Sequence, residues 1–207
     1  MLAGILRSSI ITASIYDNDV ISAFIAPVQI ISNQPSYVQD TMNLRRRASS
    51  QGVQRWEISA GLSPQNNSAF NLIHSAMNSN VTRFYIRMPQ VVNLDIGNNK
   101  TIEQASNTQL ADSVGRNQST ITTQSRLTEG EFINIGDANK VYLVVKVDGT
   151  TSTIIPPAMM SAAAATSIKR GGNVKMYARY DSDTQLGITY TDGILSDPGV
   201  VKFIEAI

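Results

Sequence analysis

Apolar and polar residues alternate with a period of two along several segments, and this alternation most limits what the chain can fold into. In RWEISAGL, residues 55–62, the even positions are all apolar and the odd ones mostly polar or charged. Residues 83–88 and 174–180 repeat the pattern. Successive side chains of a strand point to opposite faces of a sheet. These segments therefore predict antiparallel strands with one buried face, and they predict that Trp56 is a core residue.

A different pattern separates the first two of these strands. After the polar residues 64–68, apolar residues recur at helical spacing from Ala69 to Met77, which predicts one short helix. Residues 93–130 are rich in Asn, Gln, Ser and Thr. This composition fits either short strands joined by mobile loops or a partly disordered loop.

Strand character returns in EFINIGDANKVYLVVKVDGTTSTIIPP, residues 131–157. Both faces of the run from Val141 to Val147 are apolar, which is typical of a central strand, and Asp148-Gly149 predicts a hairpin. The Ala-rich residues 158–172 end in two glycines and are predicted to be a connector.

The strands at the two ends of the chain share the same alternation, which predicts that they belong to one domain. The predicted fold is mainly β. A split β-sandwich or barrel domain with one short helix comprises residues 1–89 and 172–207. A small β-barrel domain, residues 90–171, is inserted into it.

Charge and composition argue against several classes of partner. The 207 residues include 17 Lys and Arg against 16 Asp and Glu, so the net charge is +1. Nucleic-acid-binding proteins usually carry a basic excess that neutralises phosphates, so no specific nucleic acid is predicted as a partner. The chain has no Cys, and no run of about 20 apolar residues that would span a membrane. We expect a soluble protein made in the cytoplasm.

No catalytic or metal-binding motif is found in the sequence. His74 is the single histidine and lies in the predicted helix without an acidic neighbour, so a triad is not predicted. The cluster Asp181-Ser182-Asp183 lacks the Gly and Glu spacing of an EF-hand calcium loop. We therefore predict no enzyme activity, no cofactor and no metal. A glycosidase stays open on sequence, because its two carboxylates need not be neighbours in the chain.

Basic residues concentrate at two places. Arg45, Arg46 and Arg47 form the one charge run, which suits an acidic partner, a nucleic acid or simply a solvated loop or sheet edge. Arg83 and Arg87 share the polar face of one predicted strand. That second row suits a contact between subunits as well as a ligand.

The order of these elements resembles the distal tail proteins of long-tailed bacteriophages, in the branch whose inserted domain is an OB-type barrel. The resemblance covers residues 55–207 in order: RWEISAGLSP, a helix, TRFYIRMPQ, the inserted β unit and a return ending VKFIEAI. Met88-Pro89-Gln90 matches the triplet that closes the strand-helix-strand unit of the family. Residues 139–144, NKVYLV, match a strand of the family's insertion.

This resemblance implies a structural virion protein at the tail tip or baseplate, with an OB-like insertion. Six copies would form a ring that joins the tail tube protein to the tail hub protein and leaves a lumen for the tape-measure protein. In such a ring, Arg45, Arg46 and Arg47 are candidates for one side of the contact between subunits, and Asp181 and Asp183 for the other.

Two other functions fit the same pattern. One is another tail component, such as a tube or tube-completion protein. The other is a carbohydrate-binding β module, although such modules commonly use exposed aromatic residues and only 6% of this chain is aromatic.

Overall fold

The computed structural model describes ten segments of the chain: residues 7–10, 20–40, 46–50, 53–63, 83–88, 90, 105–181, 189–191, 194–197 and 200–206. Almost all regular structure in these segments is antiparallel strand, together with one 3-10 turn at Gly171–Asn173. The prediction of a mainly β protein is confirmed. The predicted helix and His74 lie outside the described residues. Within the described part, no helix has the length and apolar composition needed to cross a membrane.

The strands, in chain order, are β1 (Arg7–Ile10), β2 (Val20–Asn33), β3 (Ser36–Asp40), β4 (Arg46–Ser50), β5 (Arg55–Ser63), β6 (Arg83–Arg87), β7 (Thr108–Gln109), β8 (Thr120–Thr122), β9 (Phe132–Ile135), β10 (Val141–Asp148), β11 (Thr151–Ile155), β12 (Ser167–Lys169), β13 (Lys175–Tyr180), β14 (Thr189–Thr191), β15 (Ile194–Asp197) and β16 (Val200–Glu205).

The first sheet combines strands from both ends of the chain. Its order is β1-β2-β5-β16-β13-β6, and all its neighbours are antiparallel. β1 and β6 end the sheet and lie close to each other, but they do not pair. The sheet therefore bends round without closing into a hydrogen-bonded barrel.

The second sheet is built from the middle of the chain, in the order β7-β12-β9-β10-β11-β8. β10 is central, as its apolar residues on both faces predict. The predicted hairpin follows it: Asp148 pairs with Thr151, and Gly149 takes a φ of +62°, which glycine adopts without strain. This sheet is open as well.

The interpretation of residues 158–172 as a connector is wrong in part. Within that stretch β12 pairs with both β7 and β9, so it is an interior strand of the second sheet. Ala162 also forms a bridge with Val114. Small residues let this segment lie close to the strands beside it, and the sequence pattern alone did not separate that role from a linker.

Two further hairpins stand outside the six-stranded sheets. β3 pairs with β4, and β14 pairs with β15. The strands of the first sheet all come from residues 1–89 and 172–207, and those of the second from residues 90–171. Whether the two ranges are separate domains remains a prediction.

Two apolar clusters fill the part of the protein that the structure describes. The inner face of the first sheet contributes Trp56, Ile58, Ala60, Ile86, Met88, Val174, Met176, Ala178, Tyr180 and Phe203. Phe132 and Val141 of the second sheet belong to the same cluster. The second cluster consists of Leu110, Val114, Ile121, Leu127, Ile133, Ile135, Tyr142, Val144, Ile154, Ala158 and Ile168. Because the first core includes residues of the second sheet, the two sheets share buried surface.

Candidate functional site: the junction of the two sheets

The residues that the sequence singled out for contacts between subunits are only partly described. Arg45 and Asp183 lie outside the described residues. Arg46 and Arg47 are in β4, opposite residues 40 and 39 of β3. Asp181 has an internal partner, because its carboxylate lies 3.1 Å from Lys202 Nζ and its side chain is only 15% exposed.

The most concentrated buried polar chemistry in the described part of the chain is the ion pair between Lys140 and Glu205. Lys140 comes just before β10 in the second sheet, and Glu205 ends β16 in the first. Their side chains are 3% and 0% exposed, and the ammonium donates directly to the carboxylate. A pair of this kind costs desolvation energy and needs further hydrogen bonds to compensate.

Those further hydrogen bonds are present. Lys140 Nζ also donates to the Gln54 backbone carbonyl at 2.8 Å and to the Gln54 side-chain oxygen at 2.7 Å. Glu205 accepts from the backbone N–H of Trp56 at 3.0 Å and of Val141 at 2.9 Å. Lys140 is therefore held by groups on the first-sheet side of the junction, and Glu205 by groups from both sheets.

Burial opposes the charges of this pair. It raises the pKa of the Glu205 carboxyl above its ordinary value, against the attraction of Lys140 and the two backbone donors. It lowers the pKa of the Lys140 ammonium, against the attraction of Glu205. The arrangement binds the sheets together, and its charged atoms are enclosed by protein.

Two side-chain amides continue the hydrogen-bond pattern across the junction. Gln90 donates to the Phe132 carbonyl at 3.0 Å and accepts from the Phe132 N–H at 3.1 Å. Asn134 donates to the Lys175 carbonyl at 3.0 Å and accepts from the Lys175 N–H at 2.8 Å. Each carboxamide thus pairs with a backbone peptide group as a neighbouring strand would: Asn134 from the second sheet to the first, and Gln90 from the segment after β6 to the second sheet.

Trp56 completes the junction. Its indole N–H donates to the Val141 carbonyl at 2.8 Å, and its ring meets that of Phe132 edge to face, with centroids 5.2 Å apart. The side chain is 4% exposed, so the prediction that Trp56 is a core residue is confirmed.

A second buried ion pair lies within the second sheet. Arg170 Nη2 donates to Glu131 at 3.0 Å, and the two side chains are 7% and 0% exposed. Glu131 also accepts from the backbone N–H of Thr128. Burial raises the pKa of Glu131, against the attraction of Arg170.

Two open grooves flank the turn formed by residues 136–139. One, of about 360 Å³, is lined by Tyr85, Asn134, Asp137, Ala138, Asn139, Lys169 and Lys175. The other, of about 540 Å³, lies between the turn and a segment that contributes residues 160–163 and Thr166. Asp137 in the turn forms an exposed ion pair with Lys169. No three His, Cys, Asp or Glu residues of the described segments lie together as a metal site would require.

Sequence reasoning placed Trp56 in the core but did not identify the charged residues of this junction. For Glu205 the sequence does contain a signal. Glu205 follows Phe203 by two residues in β16, so both side chains point inward, where an apolar residue is expected. Lys140 carried none, since its partner is distant in sequence.

Comparison with known proteins does not add to this description. No family model matches the chain, and no curated protein matches it either.

Proposed function

We propose that this chain is a structural protein of a bacteriophage tail tip or baseplate, six copies of which form a ring joining the tail tube to the hub. The observation that carries the proposal is the order of elements in the first sheet. β16 and β13 from the end of the chain pair with β5 and β6, and the second sheet is inserted between β6 and β13. This is the organisation that the sequence resemblance implies.

The junction supports the proposal on physical grounds. A ring subunit holds neighbours with different surfaces, so its parts need a fixed relative orientation. Lys140, Glu205, Gln90 and Asn134 supply directional contacts of that kind between the two sheets. The hairpins β3–β4 and β14–β15, which stand outside the large sheets, offer strand edges to neighbouring subunits.

For the inserted unit we propose a small, partly open barrel of the OB type, which agrees with the open order of its sheet. Its strands are short, and the pairing of its central strand β10 shifts at a bulge between Val144 and Lys146. Bulges bend strands where small barrels turn corners.

Two measurements test the ring. Electron microscopy of the purified chain should reveal closed six-fold rings with an open centre. Labelled protein in assembled particles should lie in one ring at the tail tip. Finding it at the capsid or along the whole tube would overturn the assignment, and the tube position would favour a tube or tube-completion protein.

A charge reversal sharpens the test. Replacing Arg46 and Arg47 by Glu should weaken ring closure if the basic run contacts the neighbouring subunit. Arg116→Glu is the matched control, because Arg116 is exposed in the inserted unit and is not assigned to the contact. If the two changes had equal effects, the basic run would not be part of the proposed interface. The proposal that the chain forms a ring would still stand.

A carbohydrate-binding module is the second candidate, and one observation favours it. Tyr85 and Tyr177 are half-buried on the outer face of the first sheet, and Tyr85 borders the groove of about 360 Å³. A panel of immobilised glycans tests it, with Tyr177→Ala as the variant that should abolish any binding. Absence of binding across the panel would remove this candidate.

A further inference from the structure

The outer face of β6 and β13 places like charges opposite each other around a pair of tyrosines. In the register of the two strands, Arg83 lies opposite Arg179, Tyr85 opposite Tyr177, and Arg87 opposite Lys175. Arg83 is exposed, and the other five side chains are half-buried. We call these six residues the tyrosine face.

Pairing like charges across strands is unfavourable, since side chains at opposed positions lie close together. On the same outer face of the first sheet, the cations of β16 and β5 have carboxylate partners. Lys202 of β16 binds both Glu57 and Asp181, and Arg55 of β5 binds Glu57. On the tyrosine face, by contrast, Arg83, Lys175 and Arg179 have no carboxylate partner among the residues that the structure describes. Arg83, Lys175 and Arg179 thus give the face a local positive charge that no carboxylate of the described part of the chain compensates.

The two tyrosines at the centre of the face contact each other, and one of them has a hydrogen-bond partner. The rings of Tyr85 and Tyr177 lie 4.9 Å apart at an angle of 43°, and the Tyr85 hydroxyl donates to Asn139 at 2.8 Å. A tyrosine held in place offers a large contact area at little cost in conformational entropy, and Tyr and Arg dominate the binding energy of protein interfaces.

We propose that the tyrosine face is a docking surface for an acidic segment of a partner protein. The segment presents two carboxylates, which bind Arg83 and Arg179 at one end and Lys175 at the other, and an apolar side chain between them, which packs on the tyrosines. The two ends of β6 are about 13 Å apart, the length of an extended strand from residue 83 to residue 87. Charge complementarity fixes the register of the segment, and the tyrosine contact supplies most of the affinity.

Two observations favour a protein partner over a nucleic acid. The tyrosine rings pack on each other at an angle, so they do not offer the free flat surfaces on which successive bases stack. The net charge of +1 gives no long-range attraction for a polyanion. This proposal does not depend on the ring, because it concerns a surface of the single chain.

The test is a titration of the ¹⁵N-labelled full chain, followed by amide NMR spectra. The probe is a capped peptide, Thr-Glu-Thr-Phe-Thr-Glu-Thr, in which the two Glu have the spacing of the two ends of β6. Its control has Gln in place of both Glu. We expect the amides of residues 83–87 and 175–179 to shift with the Glu peptide and to remain unchanged with the Gln peptide.

Variants locate the binding. Replacing Arg83 and Arg179 by Gln should weaken the Glu peptide by about fivefold, the combined effect of two exposed charge contacts. Arg55→Gln should leave the affinity unchanged, because Arg55 lies on the same outer face but already binds Glu57. The spectra themselves report whether each variant is folded.

Four outcomes overturn the proposal. They are equal binding of the two peptides, shifts confined to other strands, no shifts at millimolar peptide, and equal affinity in the double variant. If a short oligothymidine shifts the same amides more strongly than the Glu peptide, the face binds nucleic acid instead. If those amides broaden with protein concentration alone, its occupant is a second copy of the chain.

Discussion

Glu57 and Glu205 lie on neighbouring strands of the first sheet and point to opposite faces, and their surroundings differ. Glu205 faces inward, where it meets Lys140 and two backbone N–H groups, and burial raises its pKa. Glu57 faces outward. Burial also acts to raise its pKa, but hydrogen bonds from Asn33, Lys202 and Arg55 hold the pKa below its ordinary value.

The two surroundings show where charged groups of this chain meet their partners within the chain. At the junction both Lys140 and Glu205 have several internal partners, so the junction is complete within one chain. On the outer face, β5 and β16 carry cations with a carboxylate between them, whereas β6 and β13 carry cations opposite cations. The inward-facing charges join the two sheets of one chain. The outward-facing cations Arg83, Lys175 and Arg179 of β6 and β13 are the ones that we propose bind a partner.

The largest effect should come from the centre of the junction. Trp56→Ala removes a buried ring, its edge-to-face contact with Phe132 and its hydrogen bond to Val141. We expect a loss of about 5 kcal/mol in the free energy of unfolding, the upper end for such a truncation. Urea denaturation measures it, with Trp56→Phe as the control that keeps a buried ring. An unchanged free energy would place Trp56 at the surface.

The next effect tests whether the charges of the junction depend on each other. Lys140→Met leaves the Glu205 carboxylate buried without its cation, which should cost about 3–4 kcal/mol of stability. Combining it with Glu205→Leu should recover most of that loss, because no isolated charge remains. The double-mutant cycle is measured by urea denaturation. Additive losses would mean that the two residues do not act as a pair.

Only part of this arrangement could be read from the sequence. Alternation predicted the strands 55–63, 83–87 and 175–180 and the core position of Trp56, because those signals are local. β12 was missed, since a stretch of small residues leaves no periodic apolar pattern to detect. The junction and the tyrosine face depend on residues far apart in sequence, and only the register of paired strands brings them together.

The pH dependence of the two carboxylates should have opposite signs. The folded pKa of Glu205 is raised above 4.5, so its contribution to stability is present below 4.5 and is lost as the pH rises through the folded pKa. The folded pKa of Glu57 is lowered, so its contribution is present above 4.5 and is lost as the pH falls through the folded pKa.

Thermal unfolding of Glu57→Gln, Glu205→Gln and the unmodified chain across this range measures both signs. The difference in melting temperature between the unmodified chain and Glu57→Gln should become smaller as the pH falls. The difference between the unmodified chain and Glu205→Gln should become smaller as the pH rises. If the melting temperatures of the two variants changed with pH in the same way, the two carboxylates would not have the opposite pKa shifts described above.

The smallest effect concerns the outer face itself. Arg179→Gln removes one of two opposed cations and should raise the free energy of unfolding by about 0.3 kcal/mol at low salt. Arg55→Gln, which breaks the ion pair between the exposed Arg55 and the buried Glu57, should lower it by about 0.5 kcal/mol. Added salt should reduce both differences in urea denaturation. A destabilised Arg179→Gln would mean that Arg179 has a partner within the chain.

The pairing of β16 between β5 and β13 also sets the order in which the parts of this protein are completed during synthesis. All strands of the second sheet lie before residue 170, so that sheet is complete on the ribosome while the first still lacks an interior strand. Until residues 200–205 emerge, β5 and β13 have open edges and Lys140 has no counter-ion. The Lys140–Glu205 pair therefore forms only after β16 has emerged, and it joins that strand to a sheet made much earlier.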